Sequence, residues 1–485
     1  MASARRLAAN LFSGVFTNVT RIAIQAVLLP LMANLLGPSE LGLYALALPI
    51  ISFVMLLSDA GLGDSLAKEK GDGTLVWSSA FWGLLATGII LMACLWGVSF
   101  LVASVANQPR LPDIMLPLSL TLLMVVMTVI PNAMLLRQGN LVPTALADLF
   151  GNIIGAATGI TLALYGFGVW SMVALYVVTY ATRAIVLNVA SPFRPRLEFD
   201  ISSLFGHTGM GSQILATRLM DLLTRMFENA QVSRRLGAAS LGGYSYANQI
   251  GFFAANAVGN PLWANLYYVA INRGPAEVSE HYIRAHRIFS LLVFPASAVL
   301  ALAMPSIVPL LFGEAWINAI PSIMVMVLAT PFGNLAVFQT AILFARDRGR
   351  LVVGGLALVM LFRVAVVVVA WPFGLIGMSL GLAAANILYF VATLIFINPM
   401  IGVRRRDIIR MIAAPIAAST ACGAVFWFLV GEHATLVHLV VCGLAALPVY
   451  CAALLVLDYR QSRLDLAAVT DLVVQRKPPQ PATTH

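Results

Sequence analysis

Charged residues are scarce in this chain of 485 amino acids. Only 10% of the residues are Asp, Glu, Lys or Arg, whereas 60% are hydrophobic, and the mean hydropathy is +0.91. This composition excludes a water-soluble globular protein, because apolar segments of about 20 residues, long enough to span the hydrocarbon of a bilayer, follow one another along the sequence. The composition predicts a polytopic membrane protein.

Cysteine and histidine are rare as well. The four cysteines lie within apolar segments and lack the paired spacing of metal ligands, and the six histidines are scattered. We therefore expect no disulfide and no metal site. The ten-residue alternation of a transmembrane β-barrel is also missing, as the run LALVMLFRVAVVVVA illustrates. The predicted fold class is an all-α polytopic membrane protein.

The apolar runs predict about 14 transmembrane helices. They cover residues 11–36, 41–66, 76–104, 113–136, 142–165, 168–190, 202–228, 236–265, 285–312, 317–344, 351–370, 374–397, 408–430 and 434–457. If the N-terminus is cytoplasmic, the cytoplasmic side carries 21 of the 29 Lys and Arg residues, Arg287 among them, and the opposite side carries three. This asymmetry predicts that both termini are cytoplasmic. Because the basic residues are dispersed over these connections, their expected neighbour is anionic lipid and not nucleic acid.

One predicted span carries a stripe of charge. Arg218, Asp221, Arg225 and Glu228 are spaced by three, four and three residues, which places them within about 80° of one helix face. An Arg in the bilayer interior costs about 2.5–3.5 kcal/mol, so the stripe is expected to line protein or water. A structural interpretation stays open, in which the pairs at i,i+3 neutralise each other and fix helix packing.

The chain also contains an internal repeat at an offset of 200 residues. LGPSELGLYALA, residues 36–47, matches LGAASLGGYSYA, residues 236–247, at six of twelve positions, and GFGVWSM, residues 166–172, is similar to PFGLIGM, residues 372–378. An even number of spans separates the copies, which predicts a parallel duplication. We expect six-helix lobes at 1–197 and 198–400, an additional helix pair at 401–457 and a polar cytoplasmic tail at 458–485.

The repeat places a second polar stripe opposite the first. The offset aligns Asn18 with Arg218, Arg21 with Asp221 and Gln25 with Arg225. Two such helices would form a polar cleft between the lobes near the membrane midplane. Further polar residues within spans join the candidate lining, namely Asp59, Asp64, Asp148, Asn152, Arg183, Gln249, Asn256, Asn260 and Arg363. For Asp64 and Arg183 a position at the cytoplasmic surface stays open.

Three segments resemble a known family. NLLGPSELGLYALALPIISFVMLLSDAGLGDSLAKEK at residues 34–70, PNAMLLRQGN at 131–140 and DLFGNIIGAATGITLALYGFGVWSM at 148–172 are similar to the polysaccharide transporter family, the Wzx-type lipid-linked oligosaccharide flippases. The resemblance implies the multidrug, oligosaccharidyl-lipid and polysaccharide exporter fold, with two pseudo-symmetric six-helix lobes in a V and a C-terminal two-helix appendage. It also implies a polyprenyl diphosphate-linked repeat unit that moves from the cytoplasmic to the outer leaflet of the bacterial inner membrane, for exopolysaccharide, capsule or O-antigen assembly.

The polar residues then receive expected roles in an alternating-access transporter. Arginine side chains are expected to bind the diphosphate, because the planar fork of a guanidinium group matches phosphate oxygens. The candidates are Arg21, Arg218, Arg225 and, as a helper, Arg363. Sugar contacts are expected from Asn18, Gln25, Asn152, Gln249, Asn256 and Asn260. Counter-charge, or coupling to a proton or sodium gradient, is expected from Asp59, Asp148, Asp221 and Glu228. We expect no catalytic residue and no cofactor; a polysaccharide polymerase and a chain-length regulator are candidate partners.

Two alternatives remain open. A multidrug antiporter of the same fold would need a net-acidic, aromatic-rich cleft for a cationic drug, whereas five Arg residues lie within the spans here. A membrane glycan polymerase or ligase would be an enzyme and would need a substantial outer loop with catalytic residues. The outer connections, such as residues 105–112 and 431–434, are only a few residues long.

Overall fold

The fold is helical along the part of the chain that the structure describes. The computed structural model describes residues 20, 24–25, 27–49, 51, 74–138, 140, 142–198, 200, 212–346, 348–431, 435–459 and 461. These residues contain α-helices, short 3₁₀ and π segments and connecting turns, and no strand. The predicted all-α class is confirmed.

The α-helices mostly overlap the predicted spans, with ends that differ by up to ten residues, and Val27–Pro49 covers parts of the first two predicted spans. They are α1 (Val27–Pro49), α2 (Thr74–Ala106), α3 (Leu111–Arg137), α4 (Val142–Leu164), α5 (Trp170–Ala190), α6 (Ser212–Leu236), α7 (Ala238–Asn272), α8 (Pro275–Ile307), α9 (Ile320–Ala345), α10 (Gly349–Ala370), α11 (Gly374–Ala392), α12 (Asn398–Ile401), α13 (Arg405–Val430) and α14 (Leu436–Leu457). A π segment, Val308–Phe312, prolongs α8, and a second, Thr393–Ile397, joins α11 to α12.

Ten stretches among the described residues are long and apolar enough to cross a membrane. They make the protein a multi-pass membrane protein. One of them, Gly349–Ile401, contains two predicted spans. The helix α6 is not among the ten, because charged side chains interrupt its apolar sequence. The count of 14 stays a prediction.

The chain folds into two compact units, each built from separate segments. The first comprises Met1–Ala247, Val308–Ser322 and Arg348–Ala385; the second comprises Asn248–Ile307, Ile323–Asp347 and Asn386–His485. The first unit therefore contains helices from both copies of the sequence repeat. The lobe bounds drawn from the repeat, at 197 and 400, stay a prediction.

In the first unit, aromatic and small residues bring the helices together. Trp77 and Phe81 on α2 are buried against Val126 and Ile130 on α3. The helices α4 and α5 approach closely at a glycine row spaced by four residues, Gly151, Gly155 and Gly159. A Cβ atom on Gly155 would collide with the hydroxyl of Thr179. Small residues of this kind let membrane helices pack backbone to backbone.

The second unit has an aromatic core and holds the C-terminal helix pair. Tyr282, Phe289 and Phe338 are buried in its centre. The pair α13 and α14 packs on α8, where Arg287 is 2% exposed and its Nη1 lies 3.1 Å from Oδ2 of Asp458. The sequence predicted that Arg287 lies on the cytoplasmic side, which stays a prediction; the structure adds that this side chain is buried, and the end of α14 supplies the carboxylate partner that a buried charge requires.

Candidate functional site

The charged stripe lies on α6, and two of its members form an ion pair on the open side of that helix. The 25 residues of α6 extend about 37 Å, and Arg225 lies near the middle of this helix. Its Nε and Nη2 atoms both lie 3.0 Å from Oδ2 of Asp221, at an i,i+4 spacing. The side chains of Arg225 and Asp221 are 51% and 44% exposed. This pair therefore presents a cation and an anion away from the helix packing.

A second ion pair joins α6 to α10. Arg363 donates from Nε to Oε1 of Glu228 at 2.7 Å and from Nη2 to Oε2 at 2.8 Å, a two-pronged arrangement. The hydroxyl of Tyr244 on α7 donates to the same Oε2 at 3.1 Å. The side chain of Glu228 is only 2% exposed and that of Arg363 is 21% exposed.

These two pairs differ in what they make available to a ligand. Glu228 occupies two donors of Arg363, which are the donors that a phosphate oxygen pair would use. Arg225 shares its pair with Asp221 but keeps half of its side-chain surface open. The structure thus brings Asp221, Arg225, Glu228 and Arg363 together and makes Arg225 the accessible cation. Their charges sum to zero.

A third ion pair lies between α4 and α5. Arg183 Nε is 3.2 Å from Oδ1 of Asp148, and Asn152 donates from Nδ2 to the carbonyl oxygen of Asp148 at 2.6 Å. Tyr180 and Tyr176 continue this face of α5, with ring centroids 5.8 Å apart. Sequence reasoning offered Arg183 as a lining residue but gave it no role in the site, and it left out both tyrosines. Their spacing of four and three residues on one helix face was the available signal.

The amide side chains of α7 share one face of that helix in the second unit. Gln249, Asn256 and Asn260 lie within about 40° of one another, because their spacings are seven and eleven residues. Gln249 and Asn260 are exposed, and Asn256 is partly exposed. This face of α7 therefore carries three amide side chains that can donate and accept hydrogen bonds.

Part of the predicted site lies outside the described residues, namely Asn18, Arg21, Asp59 and Asp64, together with the side chain of Arg218, whose backbone belongs to α6. Gln25 is described and exposed. Among the residues that the structure describes, no group of three or more His, Cys, Asp or Glu residues could hold a metal ion.

The two repeat copies contact each other within the first unit. Gly37 and Gly237, at equivalent places, both have positive φ angles, 75° and 89°, which favour glycine at these turns. A Cβ on Gly42 would collide with the carbonyl of Ala238, and a Cβ on Gly242 would collide with the carbonyl of Pro38. The contacts are reciprocal, as in a two-fold interface.

Hydrogen bonds between neighbouring segments lie beside the same turns. Asn229 donates to the carbonyl of Ala45 at 2.8 Å. Trp316 donates from Nε1 to the carbonyl of Ala33 at 2.9 Å. Ser233 stands at the repeat position of Ala33 and donates to the carbonyl at the end of α2, on Ala106, at 2.9 Å. We call these contacts, with those of Gly42 and Gly242, the turn interface.

Glu40 ties the first-copy turns to one another. It accepts from Arg110 Nη1 at 2.7 Å and from the backbone N–H of Val169 at 2.7 Å. The hydrogen bond to Glu40 raises the pKa of Arg110 above its ordinary value. Glu40 on α1 therefore holds in place the connection between α2 and α3 and the connection between α4 and α5.

Comparison with known proteins adds the family. The model of the polysaccharide biosynthesis protein family matches residues 31–321. The chain is 24% identical over 322 residues to the succinoglycan biosynthesis transport protein ExoT of Rhizobium meliloti, covering 66% of this chain and 65% of that protein. It is 23% identical over 410 residues to the lipopolysaccharide biosynthesis protein WzxC of Escherichia coli, covering 82% of each chain.

A solved structure shares the fold. The lipid II flippase MurJ, in an inward closed conformation, superposes with a TM-score of 0.73 at 13% identity, covering 93% of this chain and 99% of that one. This likeness concerns the fold alone. Together with the family match over most of the first repeat and more than half of the second, it confirms the resemblance drawn from residues 34–70: the chain belongs to the polysaccharide biosynthesis protein family, within the fold class of these exporters.

Proposed function

We propose that this protein is a flippase that moves polyprenyl diphosphate-linked oligosaccharide across the bacterial inner membrane. The observation that carries the proposal is the half-exposed Arg225 near the middle of α6, a helix that its sequence predicts to cross the membrane, next to Asp221 and one turn from the buried Glu228–Arg363 pair. Charge at that depth marks a water-lined substrate path in membrane proteins. The same conclusion is supported by the similar proteins ExoT, a succinoglycan biosynthesis transport protein, WzxC, a lipopolysaccharide biosynthesis protein, and MurJ, a lipid II flippase.

The diphosphate head group is the part of the substrate that this site fits. Arg225 supplies a planar fork of donors to phosphate oxygens, and Arg21 and Arg218 are proposed to complete the cationic group. Arg363 becomes a helper only when the substrate competes with Glu228 for its donors. The amides Asn18, Gln25, Asn152, Gln249, Asn256 and Asn260 are proposed to contact sugar.

Alternating access requires one end of the path to open while the other closes. In the proposed topology, both termini are cytoplasmic, so the turn interface lies on the outer side. Its opening would release the repeat unit to the outer leaflet. Asp59, Asp148, Asp221 and Glu228 remain the proposed sites of counter-charge or of coupling to a proton or sodium gradient.

This role is that of a transporter and not of an enzyme. The relative ExoT is named as a transport protein, and no catalytic chemistry is needed for flipping. A polysaccharide polymerase and a chain-length regulator, which would use the flipped repeat unit, are the proposed protein partners.

The experiment that tests the function compares two Arg→Gln variants. Full-length protein in detergent micelles is titrated with a polyprenyl diphosphate-linked sugar and, separately, with a lipophilic cationic dye. Arg225→Gln should weaken diphosphate binding about 10-fold to 100-fold, the range for one lost charge-assisted interaction. The control is Arg284→Gln, because Arg284 forms an i,i+4 pair of the same kind with Glu280, and these two side chains are 62% and 67% exposed.

The two outcomes are distinct. Diphosphate binding that falls in Arg225→Gln and not in Arg284→Gln supports the flippase. If the protein binds the dye and not the diphosphate, and both variants bind the dye as the wild type does, the drug antiporter replaces the flippase as the proposed function.

A further inference from the structure

We propose that a groove at the turn before the C-terminal helix pair binds the head group of an anionic phospholipid. The groove has a volume of about 540 Å³ and is lined by residues from the end of the π segment to the start of α13, namely Ile395, Pro399, Gly402, Val403, Arg404 and Arg405. It belongs entirely to the second unit, far along the chain from the charged stripe of α6.

The backbone that shapes this groove is held by the core of its unit. Gly402, with φ of 85°, ends α12 in the left-handed region, and the buried Val403 donates its N–H to the carbonyl of Asn398 at 2.9 Å. The side chain of Asn398, 0% exposed, accepts from the hydroxyl of Tyr282 at 3.0 Å. The groove is therefore preformed, which reduces the conformational entropy that a ligand would have to remove.

The rim of the groove is strongly basic. Arg404, Arg405 and Arg406 are consecutive and all exposed, and Arg410 follows one turn later on α13. Within the described ranges, no carboxylate lies in an ion pair with any of these four side chains. The acidic residue of the same turn is Asp407. The positive charge of this rim therefore exceeds the negative charge beside it, and the rim attracts an anionic ligand.

The neighbouring surface is apolar. Ile395, Phe396 and Met400 precede the arginines and are 45%, 68% and 47% exposed. Arginines directly beside exposed apolar side chains match a ligand with a phosphate at one end and acyl chains at the other. A cluster of four basic residues at the end of a membrane helix is a typical contact for anionic lipid. The charge and the apolar surface together favour phospholipid over a soluble phosphate.

The test uses two triple variants of the full-length protein in detergent micelles. One is Arg404→Gln with Arg405→Gln and Arg406→Gln. The control is Arg346→Gln with Arg348→Gln and Arg350→Gln, which removes three arginines from the connection between α9 and α10 and the first turn of α10. Each protein is titrated with phosphatidylglycerol, with phosphatidylcholine and with inorganic phosphate, and bound lipid is counted by native mass spectrometry.

We expect wild-type protein and the control to prefer phosphatidylglycerol over phosphatidylcholine, and the 404–406 variant to bind phosphatidylglycerol at least 10-fold more weakly. An equal loss in both variants would mean diffuse attraction and would overturn the site. Inorganic phosphate that competes fully at micromolar concentration would also overturn it, in favour of a soluble anion. If the triple variant does not fold, Arg405→Gln alone should weaken phosphatidylglycerol binding about threefold, and unchanged binding would overturn the proposal. Transport is not measured, so the result stands apart from the proposed function.

Discussion

At the residue scale, the partner of each charge decides its role. Glu228 and Arg363 form a buried pair between helices, whereas Asp221 and Arg225 form a half-exposed pair on one helix. Removal of one member of a buried pair is strongly destabilising, because it leaves the other charge uncompensated. An exposed pair contributes only about 0–1 kcal/mol. The two pairs are thus separable by experiment.

Glu228→Gln is expected to destabilise the protein by about 3 kcal/mol, because Arg363 then lacks its counter-charge. The double variant Glu228→Gln with Arg363→Met should regain most of that loss, since no charge remains buried. Thermal unfolding in detergent measures both. A double variant as unstable as the single one would show that the pair itself, and not the uncompensated charge, holds α6 against α10.

Asp458→Asn is expected to lower the stability of the second unit by a similar amount, about 3 kcal/mol, because Arg287 is 2% exposed and relies on that carboxylate. The control is Glu277→Gln, whose pair with Arg273 is more than half exposed and should contribute little. Thermal unfolding of the two variants should therefore differ. Equal midpoints would indicate that another group compensates Arg287.

At the element scale, the contact between the repeated turns depends on glycine. Gly42 faces the carbonyl of Ala238 and Gly242 faces the carbonyl of Pro38, so that any side chain at 42 or 242 must push the turns apart. The same reciprocal arrangement explains why the sequence copies match at these positions. Backbones that approach this closely are stabilised by van der Waals contacts, and these contacts weaken steeply when the backbones move apart.

Gly42→Val is expected to open the turn interface. In a background without the four native cysteines, Ser233→Cys is buried beside Ala106 and should react slowly with a membrane-impermeant maleimide. Adding Gly42→Val should raise that rate at least 10-fold. Gly97→Val is the matched control, because a Cβ there meets no atom within 4 Å. Equal rates in both variants would mean that the interface tolerates a side chain.

At the scale of the whole molecule, the distribution of basic residues predicts orientation. A fluorescent protein fused after residue 485 should be fluorescent, and alkaline phosphatase at the same place should be inactive, because both termini are predicted to be cytoplasmic. Alkaline phosphatase inserted after residue 109, in a predicted outer connection, should be active. The reverse pattern would invert the topology and put the turn interface on the cytoplasmic side.

Much of the fold was predictable because its cause is local. Hydropathy acts on each run of about 20 residues separately, so helices such as α4, predicted at 142–165, are found at Val142–Leu164. The charged stripe was also predictable, because helical spacing alone places Asp221, Arg225 and Glu228 on one face. The ion-pair partner of Glu228 could not be predicted in this way. Spacing offered Arg225 as the i,i+3 partner of Glu228, and the structure supplies Arg363, 135 residues away.

The sequence by itself determined that this chain crosses a membrane with helices, that a charged face lies within one of them, and that its turns are repeated. These properties follow from composition and period, which each segment carries alone. Only the tertiary structure decided which charges are neutralised, which cation remains accessible, and that repeated glycines face each other's carbonyls. Those outcomes depend on contacts between side chains that are far apart in the sequence. A buried charge without its partner would cost several kcal/mol of stability, so the fold decides which charges pair.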